Sequence, residues 1–138
     1  MRVFLDSDVV ISSLLSDYGA ANILVNSKSP DFYISNISEK EIKTVTKRLS
    51  IQESKMMNLI KNNLKTVKVE EDLKSIKQKF GGYTTDPDDA HIVAGAASAK
   101  VRFLISYNVK DFKAEKIKRS FDIILMKPAT FLQYLRSI

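Results

Sequence analysis

Cysteine is absent from the 138 residues. That removes disulfide frameworks, thiolate zinc sites, iron–sulfur clusters and cysteine nucleophiles together. Histidine occurs once, at His91, so neither a histidine-rich metal site nor a phosphotransfer pair can form. No apolar run approaches the roughly 18–20 residues of a membrane span. The longest apolar stretch, Ile92 to Ile105, is broken by Lys100 and Arg102. The opening Met-Arg-Val-Phe-Leu-Asp carries a base and an acid, unlike a signal peptide. A chain of this kind is expected in the cytoplasm, with no membrane partner. Linkers, repeats and low-complexity segments are missing too.

What remains is ordinary globular composition, 44% hydrophobic and 28% charged. The length suits one domain, residues 1–138, large enough to bury roughly two thirds of its unfolded surface. The formal charge is +6, and it is unevenly placed. Residues 37–80 hold eleven bases against six acids, and residues 100–119 hold seven against two. Residues 81–99 hold three acids and no base, and residues 1–36 four acids and two bases. An acidic pocket in a basic surface suits a metal-dependent enzyme acting on nucleic acid. Lysine-rich helices that are merely solvated give the same pattern.

Short apolar runs at Val3–Leu5, Phe32–Ile34, Phe103–Ile105 and Ile123–Met126, with Leu64, Val67 and Val69 in a fifth segment, predict five strands. Between them, apolar residues recur at helical spacing. Two short helices, or one bent at Gly19, are expected over 9–26. Others are expected from Ser38, around Met56–Ile60, over Glu70–Phe80, over Ala90–Lys100, over Asp111–Lys118 and from Pro128. Alternating strands and helices predict a three-layer α/β/α sandwich around a mostly parallel five-stranded sheet. Ligands in such folds bind at the carboxyl ends of the strands.

Those ends are polar. Asp6, Ser7 and Asp8 follow the first strand, and Ser35, Ser38 and Glu41 the second. Asp86, Asp88 and Asp89 open the small-residue helix. Ser106, Asn108 and Asp111 follow the fourth strand. Carboxylates converging without histidine or cysteine suit a hard cation such as Mg2+ or Mn2+. Helix caps are the competing explanation. Ser38 to Glu41 reads as a capping box, and Asp86-Pro87-Asp88-Asp89 as an Asp cap followed by Pro and acids in the first turn.

These residues resemble the motifs of PIN-domain ribonucleases, including the toxin subunits of VapBC-type toxin–antitoxin pairs. The strand ending in Asp6-Ser7 is similar to the first motif, with Asp8 where Asn is common. Ser35 to Glu41 resembles the second. Asp86 to Ala96 is similar to the third, with Asp89 in the acid's place. Ser106-Tyr107-Asn108-Val109-Lys110-Asp111-Phe112 resembles the fourth, and Pro128-Ala129-Thr130-Phe131-Leu132 the closing motif. The resemblance implies a Mg2+- or Mn2+-dependent endoribonuclease. Asp6, Glu41 and Asp89 would hold the metal, with Asn108 or Asp111 assisting, and Ser7, Asp8 and Ser106 would orient them. It further implies an RNA substrate cut to leave a 5′-phosphate and a 3′-hydroxyl, a homodimer and an antitoxin protein partner.

Two other readings stand beside it. Asp6-Ser7-Asp8-Val9-Val10 also fits the opening of haloacid-dehalogenase-type phosphatases, in which the first Asp is a nucleophile and the second a general acid. A PIN fold that only binds RNA or protein is the other. Lys43, Lys47, Arg48 and Lys110 are the candidate phosphate contacts. His91 reads as a helix-face histidine without a role.

Overall fold

The computed structural model describes all residues, 1–138. Five strands form one sheet: β1 (Arg2–Leu5), β2 (Asp31–Ser35), β3 (Leu64–Val67), β4 (Phe103–Ile105) and β5 (Ile124–Met126). Their order is β3-β2-β1-β4-β5, and every neighbouring pair is parallel. The sheet is therefore wholly parallel, where mostly parallel was expected. The helices are α1 (Ser7–Leu15), α2 (Ala20–Val25), α3 (Asn36–Arg48), α4 (Glu53–Asn63), α5 (Leu73–Phe80), α6 (Ala90–Ala99), α7 (Ala114–Phe121) and α8 (Pro128–Ser137). None is long and apolar enough to cross a membrane.

Strand residues alternate between two cores, because successive side chains point to opposite faces. Val3, Leu5, Phe32, Ile34, Phe103 and Ile105 pack against α1, α2, α3, α4 and α8. Phe4 and Leu104 point the other way, into a core with Ile92, Val93 and Ala96 of α6 and Ile117 of α7. Burial on both faces explains why β1 and β4 read as unbroken apolar runs.

Three expectations fail at element ends. The helix expected over Asp111–Lys118 is split: a 3-10 turn covers Val109–Asp111, and α7 begins only at Ala114. The helix expected from Glu70 starts at Leu73, because the Asp72 carboxylate accepts from the Ser75 amide at 2.8 Å and caps it there. The capping box expected at Ser38 is displaced. Ser35, at the end of β2, is the cap: its hydroxyl accepts from the Ser38 amide at 3.0 Å. A buried serine at the strand terminus offers the oxygen one turn earlier, so Ser38 becomes the third helical residue. Glu41 is thereby moved out of the first turn and freed from capping.

Two features position the sheet's carboxyl edge. Helix α6 runs close against β1 and β2, since at Gly95 a Cβ would lie 2.6 Å from Phe4 Cζ and 3.2 Å from Ser35 Cβ. An isolated antiparallel bridge joins Thr84 to Phe112, and the Thr85 amide donates to the Asp111 carbonyl at 2.9 Å. This bridge holds the segment leading into Asp86–Asp89 beside Asp111.

Candidate active site

Asp6 stands at the end of β1 and the start of α1, yet its side chain makes no cap bond. Its Oδ2 accepts instead from the Ser106 hydroxyl at 2.8 Å, across the β1–β4 junction. Asp8, in the first turn of α1, is held from the same loop. The Tyr107 amide and Asn108 Nδ2 each donate to its Oδ2 at 3.1 Å, and Ser106 Oγ lies 3.5 Å away. Asn108 is thus committed to Asp8.

Asp89 also makes no cap bond at the start of α6. The capping role belongs to Asp86, whose Oδ1 accepts from the Asp88 amide at 2.9 Å. Asp88 turns outward and pairs with Lys77 at 2.8 Å. Of this acidic run, Asp89 is left to face Asp111 and Glu41, whose charges it feels. Capping therefore accounts for Asp86 and not for Asp6, Glu41 or Asp89.

The electrostatics follow from crowding acids in partly dry surroundings. Burial, then the charge of Asp8, pushes the Asp6 carboxyl up to about 7, while hydrogen bonds from Ser106 and the Ser7 amide oppose the rise. Burial raises Asp8 as well. Asp89 is raised by burial and by the charges of Asp86 and Asp111. Glu41 goes the other way: His91 beside it holds its carboxyl below the usual range.

His91 is the residue the sequence reading passed over. Its side chain is 8% exposed, its Nε2 lies 3.6 Å from Glu41 Oε2, and its Nδ1 is buried without a partner. The available signal was position: a chain's lone histidine, two residues beyond a candidate acid. Ser7 Oγ and Asp8 Oδ1 are likewise buried without partners.

As placed, no three acidic or histidine side chains stand close enough to share one ion. The donor set nevertheless fits a hard divalent cation. All its acids offer oxygen, and burial, with the charge of Asp8, raises the Asp6 carboxyl to about 7, a cost that a bound cation would relieve. Unsatisfied oxygens on Ser7 and Asp8 sit beside them.

The expected phosphate contacts are spread apart. Lys43 pairs with Glu39 at 3.7 Å and, with Lys47, lines a groove between α3 and α4 alongside Thr46, Ile51, Glu53 and Met56. Arg48 is exposed at the far end of α3. Lys110 lies instead at the carboxyl edge, next to Asp111.

Solved structures resemble this chain throughout its length. VapBC2 from Rickettsia felis, bound to a DNA fragment from its promoter, aligns with a TM-score of 0.61 at 16% identity, covering 92% of this chain and 98% of that one. VapBC-1 from nontypeable Haemophilus influenzae aligns with a TM-score of 0.60 at 18% identity, covering 94% and 99%. FitAB bound to an IR36 DNA fragment gives 0.58 at 18% identity, covering 91% and 94%. At such identities the likeness is one of fold. No curated protein matches the sequence. The family model of the PIN domain matches residues 2–110, most of the chain, and with it this protein belongs to the PIN-domain family.

Proposed function

We propose that this PIN domain is a divalent-cation-dependent endoribonuclease and the toxin half of a toxin–antitoxin pair. The observation that carries the reading is that Asp89 lies within range of the charges of both Asp6 and Glu41, and that none of the three side chains serves as a cap. Burial and neighbouring acids raise Asp6 and Asp89, and acids kept at such a cost without serving a helix end suit a ligand.

Asp6, Glu41 and Asp89 would hold Mg2+ or Mn2+, with Asp111 close by. Such an ion, when bound, polarises a phosphoryl oxygen and lowers the pKa of water. The chain's own groups prepare the site. Ser106 fixes the Asp6 carboxylate by donating to Oδ2, and Tyr107 and Asn108 fix Asp8. His91 packs against Glu41 and limits its swing. Attack of water in line on the phosphodiester forms one O–P bond and breaks the bond to the 3′ oxygen. The products are a 5′-phosphate and a 3′-hydroxyl.

The membership of the family favours this reading over a phosphatase. The VapBC and FitAB complexes among the structural neighbours support an antitoxin partner. We extend the proposal to a homodimer on the family resemblance.

The test is cleavage of single-stranded RNA by the purified chain with Mn2+, with Mg2+ and with chelator. Cleavage is expected only with a cation. Glu41→Gln, which keeps size and polarity, is expected to lower the rate at least about a hundredfold while the chain stays folded, with only a small drop in thermal midpoint from the weakened contact to His91. Cation-independent cleavage, or a fully active Glu41→Gln, would overturn the assignment.

A further inference from the structure

We propose that the RNA strand runs from the acidic site across the ends of β4 and β5, where Lys110 and Lys127 hold its phosphates in a groove. The proposal rests on the nuclease reading and adds a direction and a binding site to it.

Register supplies the geometry. Leu5 pairs with Ile105, and Ile105 with Met126. The ladder continues one step further: the Asp6 amide donates to the Ile105 carbonyl at 2.9 Å, and the Ser106 amide to the Met126 carbonyl at 3.0 Å. Asp6, Ser106 and Lys127 therefore stand in one row along the carboxyl edge. At about 4.8 Å per strand, the Lys127 backbone lies roughly 10 Å from that of Asp6. A phosphate a short way along the chain from the scissile one falls within reach of such a lysine.

A groove exists there. Val109, Lys110, Leu125, Met126, Lys127 and Thr130 line an open hollow of about 410 Å3. Its floor is apolar, because β5 is the sheet's edge and leaves Leu125 and Met126 half-buried. Its rim is basic. Lys110 and Lys127 are exposed, and neither pairs with an acid. Lys127 also directly precedes the first turn of the ten-residue α8, whose dipole adds partial positive charge.

Charge decides the direction. On the opposite side of the site, β3 is followed by Lys68 and then Glu70, Glu71 and Asp72, all exposed. That flank offers a polyanion less free positive charge, although Glu71 is itself paired with Lys79 and Asp72 caps α5. The Lys43 and Lys47 groove lies further off, between α3 and α4, with Glu53 in its wall and Lys43 spent on Glu39. The β5 flank continues the row of Asp6 and Ser106 into free positive charge within an open groove.

The experiment is anisotropy of a short fluorescein-labelled single-stranded RNA of mixed sequence, titrated with the full chain in chelator over a range of KCl. Cleavage with Mn2+ is measured in parallel. Each lysine–phosphate contact to a single strand contributes about 0.7 to the slope of log affinity against log salt. The double variant Lys110→Ala/Lys127→Ala is expected to reduce that slope by about 1.4. It is also expected to raise KM about tenfold, with the loss in KM rather than kcat. Lys61→Ala, at the amino edge of the sheet, should match wild type in both. A double variant with wild-type slope and KM, in a chain that cleaves RNA, overturns the groove and leaves the nuclease. A wild-type chain that neither binds nor cleaves RNA overturns both.

Discussion

Asp6→Asn is expected to abolish cleavage, by roughly a thousandfold or more, and at the same time to stabilise the metal-free protein. The two effects have one cause. Asp6 ends a buried strand beside Asp8 and Asp89, and burial with their charges pushes its carboxyl up to about 7. The unfolded chain, with a carboxyl near its ordinary value of 3.8, gives up that proton far more readily. Between those values the folded state binds more protons than the unfolded state, so stability falls as pH rises through that window. Asp8 and Asp89, also raised, act in the same direction. Glu41, lowered by His91, acts in the opposite sense, and its contribution is lost only at acid pH.

The metal-free wild type should therefore melt several degrees lower at about pH 8 than at about pH 5. Asparagine carries no charge and can still accept from Ser106, so Asp6→Asn should flatten much of that slope. Mn2+ should raise the wild-type midpoint at about pH 8, by linkage, and leave Asp6→Asn almost unmoved. Differential scanning calorimetry across pH, with and without Mn2+, reads all of this without an activity assay. An Asp6→Asn protein that melts below wild type at alkaline pH would mean that the carboxylate is a structural acceptor rather than a crowded ligand.

The sheet was legible because burial on both faces leaves a local trace. Val3–Leu5, Phe32–Ile34 and Phe103–Ile105 are short apolar runs that end in polar residues, and those polar residues lie at the carboxyl edge. The acids at that edge were legible by position, but their division of labour was not. Whether Ser35 or Ser38 caps α3 turns on a hydroxyl reaching one turn, and both serines fit the local pattern. The same ambiguity covered Asp86, Asp88 and Asp89, which structure sorts into a cap, an ion pair with Lys77 and an acid that makes no cap bond. Long-range contacts left no local signal at all. Asn108 meets Asp8 across a hundred residues. His91 meets Glu41 because α6 and α3 pack together. The Thr84–Phe112 bridge that sets Asp111 beside Asp89 depends on two loops with no shared periodicity.

That packing makes Gly95 the position where a single methyl should matter most. Helix propensity alone predicts that Gly95→Ala stabilises α6 by about 1 kcal/mol. The contacts predict the reverse. The new Cβ would stand 2.6 Å and 2.9 Å from two ring carbons of Phe4 and 3.2 Å from Ser35 Cβ. Phe4 is fully buried in β1 among Ile92, Val93 and Ala96, so its ring cannot swing clear without disturbing that core. Overpacking of this kind costs roughly 1–3 kcal/mol, which exceeds the propensity gain, and Gly95→Ala should lower the thermal midpoint. Gly95→Leu should prevent folding. Relief follows from the same geometry: Phe4→Leu removes the offending ring atoms, so the pair Gly95→Ala/Phe4→Leu should be more stable than the sum of the single losses predicts. Activity should fall in Gly95→Ala beyond what unfolding explains. Phe4 lies two residues before Asp6, and Ser35 caps the helix that carries Glu41, so one displaced helix shifts two of the acids at once. Denaturation curves on the two single variants and the pair, with RNA cleavage measured well below each midpoint, separate these effects. A Gly95→Ala protein at least as stable as wild type would show that α6 can retreat from the sheet without cost.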